Sequence, residues 1–427
     1  MNNAVILVLL IFVVLLFTGL PLYVNLGITS FLYMYMVGTD PMIVVQRITQ
    51  AANSFTMIAA PFFILMGNLM NTGGVTKRLF NFCDALMGHI CGGLSYVTVV
   101  SSAIFSAISG SALANAAGLG SMQIQAMTER GYPKNFSTSV VTTASVMGPI
   151  IPPSILMVLY GITAGVSIQR QFIGGILPGI LYAAFCCGMC FYYSRKFHFP
   201  KGEKFNIKRV WREFWSSIWA LLAPVIILGG ILSGVFTATE SGAVACVYVI
   251  LVGMFVYKEL TLKQVLECFL ESAKTTGSIL LIAATAAVLG FCMTYDMIPQ
   301  KVATALTASV SSPTVMMLIF TLIYLFLGCI MEGSAIILTT VPIFVGICQT
   351  MNIDLVYFGV FVSVLLSVAT VTPPVGTVMF VICKKNDLTI GQYFKNMLPW
   401  FGMIVAVCLL IAFFPIITTF LPTLLYG

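Results

Sequence analysis

Two stretches of this sequence set small polar residues beside helix-breaking ones. In the first, Ser106, Ser109, Gly110, Ser111 and Asn115 precede Gly148, Pro149 and Ser154 of the run SVMGPIIPPSIL (145–156). In the second, Glu332, Gly333 and Ser334 precede Thr370, Thr372, Gly376 and Thr377 of the run SVATVTPPVGTV (367–378). Proline removes a backbone donor and blocks the helix ladder, and glycine lets the chain bend and another backbone approach. Each run therefore breaks a helix and frees backbone carbonyls and amides. Freed carbonyls at a helix C-terminus suit a cation, and freed amides at an N-terminus suit a carboxylate. Hydroxyl and carbonyl oxygens are hard, mostly neutral ligands of the kind that suits sodium. Taken singly, a serine or threonine can instead bond back to its own helix. The expected sodium ligands are Ser106, Ser109, Gly110, Gly148, Pro149, Glu332, Gly333, Thr370, Thr372 and Gly376. The expected contacts to a carboxylated ligand are Ser111, Asn115, Ser154, Ser334 and Thr377.

Glu332 stands alone in an otherwise uncharged stretch. A carboxylate within a membrane is costly and is by default a functional hypothesis. It has three roles open to it: ligating sodium, carrying a proton, or ordering its turn by accepting backbone hydrogen bonds. Glu240 and Asp296 read as interfacial charges, and His89 and His198 sit at or beyond membrane edges.

The elements that position these residues follow from composition. Of 427 residues, 59% are hydrophobic and 8% charged, and the mean hydropathy is +1.05. A soluble domain carries about 25% charged residues, so a soluble enzyme, a disordered chain and a coiled coil are excluded. Continuous apolar runs, without strand-like alternation, also exclude an outer-membrane barrel. The chain reads as an all-α polytopic inner-membrane protein. Spans are expected at 4–20, 22–38, 53–71, 137–165, 172–194, 216–234, 241–257, 276–294, 355–383 and 392–424. Residues 90–120 and 313–349 read as re-entrant helical hairpins turning at SAISGSALANA and GCIMEGSAI. Residues 75–88, with Lys77, Arg78, Asn81 and Asp84, read as an interfacial segment. The twelve cysteines are scattered through apolar runs and read as small core residues.

The most basic loop, 195–212, holds seven lysines and arginines and is set in the cytoplasm. Seventeen of the twenty basic residues then fall on that side, with Arg47, Arg170 and Lys301 outside. Both chain ends come out periplasmic. The net charge of +7 is thus a matter of orientation, and no nucleic-acid partner is expected. With no P-loop and two edge histidines, the sequence offers no catalytic arrangement, so no enzyme activity is expected.

The two halves correspond at a near-constant offset. Pro152 and Pro153 match Pro373 and Pro374, Gln171 matches Gln392, and Gly110-Ser111-Ala112 matches Gly333-Ser334-Ala335. Residues 1–194 and 213–427 are therefore expected to be inverted repeats joined by the linker 195–212. Each holds five spans and one hairpin, and an odd number of spans turns the second copy over in the membrane.

The segments APFFILMGNLM, SGSALANAAGLG, GYPKNFSTSVVTTASVMGPIIPPS, MEGSAIILTTVPI and ATVTPPVGT resemble the large membrane subunit of TRAP (tripartite ATP-independent periplasmic) transporters. The resemblance covers essentially the whole chain. That family often has Asp where this chain has Glu332. The resemblance implies an elevator-type secondary transporter driven by sodium, with Na+ as the coupling ion. It implies two partners, a small four-helix membrane subunit and a soluble periplasmic substrate-binding protein. Because the chain starts directly in its first span, the small subunit is expected as a separate protein. The sialic-acid branch is the expected cargo class, with C4-dicarboxylates as the main alternative. A related cation antiporter or channel, and a non-transporting membrane scaffold, are the rival readings.

Overall fold

The computed structural model describes residues 10–426, apart from 16–17, 19, 39, 41, 54, 298–299, 303, 305, 307–309 and 374–375. Most of the expected span 4–20, both chain ends and Pro374 lie outside the described residues. The chain is all-α, and among the described residues six helices are long and apolar enough to cross a membrane.

Residues 10–15 are helical, and helices α1 (Leu22–Val37) and α2 (Met42–Ala52) follow, then a 3₁₀ turn, Phe55–Ile58, leading into α3 (Ala59–Thr72), and then α4 (Val75–Met87). The first hairpin is α5 (Gly93–Ser109) and a return arm. That arm consists of α6 (Ala112–Asn115), a π-helical turn (Ala116–Gly120) and α7 (Ser121–Glu129). A broken pair follows, α8 (Lys134–Ser145) and α9 (Ile155–Ala164), and then the long α10 (Ile168–Phe197). The second half opens with α11 (Ile207–Leu232), α12 (Ala238–Leu251, ending in a π-turn, Val252–Val256) and α13 (Leu262–Tyr295). Its hairpin is α14 (Pro313–Gly328) with α15 (Gly333–Thr350), and its broken pair is α16 (Leu355–Ala369) with α17 (Thr377–Lys385). Helices α18 (Ile390–Phe413) and α19 (Ile416–Tyr426) end the chain.

Packing sorts these helices into two layers. In one, α13 lies against α1, α2 and α3, α12 against α3, and α11 against α4. In the other, the hairpins and broken pairs pack among themselves and against α10 and α18, and the two layers meet where α5 packs on α4 and α15 on α13. Their shared interior is large and apolar, with Phe105, Tyr160, Phe172, Phe320, Phe358 and Trp400 among its fully buried side chains.

Several elements differ in extent from the sequence expectation. The stretch 392–424 is two helices, because Phe414 precedes Pro415 and is pushed out of the helical region (φ −122°, ψ 77°). The linker 195–212 is helical at both ends. Helix α10 runs to Phe197, and the Asn206 side chain caps α11 by accepting from the Lys208 and Arg209 amides at 3.0 and 3.3 Å. The first hairpin's return arm runs past 120 to Glu129, because the π-turn bends the helix without ending it. Helix α13 begins fourteen residues before 276, where Thr261 and Gln264 form a capping box. Helix α2 has no counterpart in the expected spans.

Residues 75–88 form a helix whose Asp84 is turned inward, with its side chain 4% exposed. Arg130, just beyond α7, donates to both carboxylate oxygens at 3.0 and 3.2 Å, and Arg209 of α11 donates to Oδ2 at 2.7 Å. One carboxylate therefore ties three separate elements. Removing one member of a buried ion pair costs about 3–5 kcal/mol. The two arginines reach solvent, which lowers this to about 2 kcal/mol. Asp84→Ala should lower the apparent melting temperature of the detergent-purified protein by several degrees, and Arg130→Ala by less. A melting temperature for Asp84→Ala equal to that of the unaltered chain would remove the carboxylate from the stability account.

Candidate functional site

The first hairpin turns through Gly110, which has a left-handed backbone (φ 61°) and donates its amide to Ser106 O at 3.0 Å. The next residue, Ser111, is extended and caps α6 by accepting from the Ala114 amide at 3.3 Å. Across from this tip lies the break between α8 and α9. A side chain on Gly148 would overlap the Ser111–Ala112 peptide, and a Cβ on Gly110 would sit 2.5 Å from Pro153 O. The Ile155 amide reaches Gly110 O at 3.4 Å. Hairpin tip and broken pair are thus in backbone contact, which only glycine permits at 110 and 148. Ser154 caps α9, accepting from Met157 N at 3.4 Å while donating to Pro149 O at 2.6 Å.

Behind the tip, Asn115 Nδ2 donates to Ser106 Oγ at 2.9 Å and to Ser102 O at 3.1 Å. Asn115 Oδ1 and Ser109 Oγ are buried and have no hydrogen-bond partner. A buried polar atom without a protein partner is free to accept from a water or to ligate an ion. Both Asn115 hydrogens are spent, so only its oxygen is free for a ligand. That suits a cation better than the carboxylate expected for this residue.

In the second half the expected residues fall into two groups. Glu332 is the extended residue before α15; its side chain is exposed and accepts from Ser334 Oγ. Thr370, Thr372 and Gly376 form the second group. The Thr370 carbonyl accepts from the Val378 amide at 2.9 Å, and the Thr372 carbonyl accepts from Gly376 N at 3.0 Å. The hydroxyls of Thr370 and Thr372 donate back to Ser367 O and Val368 O at 2.6 and 2.8 Å. With their protons turned inward, these oxygens offer lone pairs and no donor. Thr377 opens α17. No hydrogen bond among the described residues joins the two groups, but their elements touch. Gly328, at the end of α14, abuts Ala369, and Gly333 abuts Leu366.

The halves also brace each other crosswise. Helix α15 of the second hairpin packs on α9 of the first broken pair, and α6 of the first hairpin packs on α17 of the second. Lys385 at the end of α17 donates to Ala117 O, in the first hairpin's π-turn, at 2.9 Å.

Two residues near the site were not anticipated. Asn71 of α3 donates to Ala114 O at 3.2 Å and fills the space left by Gly118. Gln123 of α7 donates to Ser101 Oγ and Ser102 Oγ at 3.1 and 3.2 Å. Their signal in the sequence is only a polar side chain at an apolar position, which neither spacing nor a breaker singles out.

Comparison with known proteins places this arrangement. Residues 9–417 match the family described as "Tripartite ATP-independent periplasmic transporter, DctM component". The chain is 35% identical to the sialic acid TRAP transporter permease protein SiaT of Haemophilus influenzae, over 99% of this chain and 69% of that one. It is 34% identical to the sialic acid TRAP transporter large permease protein SiaM of Vibrio cholerae, over 97% of both. It is 33% identical to the C4-dicarboxylate TRAP transporter large permease protein DctM of Rhodobacter capsulatus, again over 97% of both. In fold it is similar to the YdaH transporter of Alcanivorax borkumensis, with a TM-score of 0.62 at 15% identity over 97% of this chain and 98% of that one. A match over nearly the whole chain, with a third of the residues identical to several named members, leaves one conclusion: this polytopic membrane protein belongs to the DctM family, the large permease component of TRAP transporters.

Proposed function

We propose that the chain is the transport subunit of a sodium-coupled system that takes up a small carboxylate across a bacterial inner membrane. The observation that carries this reading is the docking of each hairpin against broken-pair helices, with unpartnered or proton-averted oxygens at the first tip and at Thr370 and Thr372. Oxygens with no proton to offer suit sodium. The carboxylate is assigned to helix N-termini, with Ser111, Ser154, Ser334 and Thr377 at the α6, α9, α15 and α17 ends. N-acetylneuraminate is the first candidate cargo, because SiaT and SiaM are among the relatives. C4-dicarboxylates are the second, because DctM proteins are equally similar.

Transport proceeds in this reading by an elevator movement of the hairpin layer against the layer built on α13. The two halves act as inverted repeats, and both chain ends are periplasmic. A small four-helix membrane subunit and a periplasmic binding protein complete the system.

Both partners and an imposed sodium gradient belong in the test, which follows labelled sialic acid and labelled succinate into proteoliposomes. Inward sodium should drive one substrate, and choline replacement should abolish uptake. Ser109→Ala or Thr372→Ala should raise the sodium concentration for half-maximal uptake roughly three- to fivefold, the worth of one lost ligand of hydrogen-bond strength. Uptake that runs equally well on a proton gradient without sodium would sink the sodium assignment.

A further inference from the structure

The first hairpin contains more polar structure than its tip requires. Thr98, Ser101, Ser102, Ser106 and Ser109 line one side of α5, all essentially unexposed. Facing them from the return arm are Asn115 and Gln123, also fully buried. Gln123 Nε2 donates to Ser101 Oγ, Ser102 Oγ and Thr98 O at 3.1, 3.2 and 3.4 Å. Ser101 Oγ gives its own proton to Val97 O at 2.5 Å, so it can only accept from the glutamine. This fixes which way round the Gln123 amide lies. Ser102 is a shared rung, because its carbonyl holds Asn115 and its hydroxyl holds Gln123.

The register of this ladder depends on the π-turn. Asn115 and Gln123 are eight residues apart. In an unbroken α-helix they would point about 80° apart. A π-turn takes up one extra residue, which leaves the pair within about 20° of a common face. Asn71 of α3 sits in the space beside Gly118, within this turn.

We propose that Gln123 is a positioning residue for the cation site of the first hairpin. It holds Ser102, whose carbonyl accepts from Asn115, so that the unpartnered Asn115 Oδ1 faces the ion as a fixed acceptor. The π-turn sets the register that makes this possible. The proposal rests on the sodium reading given above, and it assigns the site's affinity to a residue roughly two turns removed from the ligand.

The test is sodium-dependent uptake by the complete system with Gln123→Leu, Asn115→Ala and the double variant. Gln123→Leu should raise the sodium concentration for half-maximal uptake roughly three- to tenfold, as the loss of one or two hydrogen bonds would. Substrate KM at saturating sodium should stay unchanged. In the Asn115→Ala background the same substitution should add little further, since it acts through that side chain. If Gln123→Leu fails to reach the membrane, Ser102→Ala removes one acceptor of the ladder and should move sodium half-saturation in the same direction by a smaller factor. A sodium-dependent system in which Gln123→Leu lowers only the melting temperature overturns the proposal alone. Effects of Gln123→Leu and Asn115→Ala that multiply would overturn it too, by making the glutamine independent. Unaltered uptake that ignores sodium overturns the underlying reading and this proposal together.

Discussion

Gly110→Ala and Gly148→Ala should each lower uptake roughly tenfold to a hundredfold while leaving the protein in the membrane. At Gly148 the new methyl group would overlap the Ser111–Ala112 peptide. Backbone cannot swing aside as a flexible side chain can, so the hairpin tip must lift from the break. At Gly110 the methyl group would meet Pro153 O at 2.5 Å, in a residue already at φ 61°. The left-handed backbone alone costs an alanine about 1 kcal/mol, and forced overpacking adds about 1–3 kcal/mol. Gly165 supplies the contrast, with φ 67° but nothing within 4 Å of its added Cβ. Gly165→Ala bears the backbone cost alone and should keep most uptake. If the variants at 110 and 148 transport like the one at 165, the tip-to-break contact is not part of the transport site.

A second large effect is expected at Glu332. If its carboxylate ligates the coupling cation, Glu332→Gln should raise the sodium requirement tenfold to a hundredfold, the worth of a charge-assisted interaction of about 1.5–3 kcal/mol. Glu332→Asp should retain function, because the charge stays at the tip beside Ser334. If Glu332 only orders the turn, the amide can still accept from Ser334 Oγ, and Glu332→Gln should cost less than tenfold. Sodium titrations of uptake for the three proteins separate these cases. A glutamine variant with unaltered sodium affinity and rate leaves Glu332 a structural residue.

The sequence made the helix-breaking chemistry legible. Pro149, Pro152 and Pro153 cannot continue a helix, and the chain breaks between Ser145 and Ile155. The turn at Gly110 was visible for the same reason, since Gly-Ser beside apolar runs has few other uses. Partners brought together across large separations were not visible. Asp84 meets Arg130 and Arg209 from 46 and 125 residues away, and a lone aspartate in an amphipathic segment looks like surface. Helix extents failed where a cap outweighed composition, as at Asn206 and Thr261. The π-turn at Ala116–Gly120 had no signal at all, because Ala-Ala-Gly-Leu-Gly is compatible with an ordinary helix. The polar ladder that depends on its register stayed hidden with it.

The crosswise bracing has a mechanical consequence. With α15 resting on α9 and α6 on α17, no one of these four helices can slide along its neighbours without dragging pieces of the opposite half. In the elevator reading proposed above, a displacement large enough to carry cargo would move them as one block, with slip confined to surfaces outside that block. Two ligands bound in different halves would sense each other as two passengers sense the tilt of one platform.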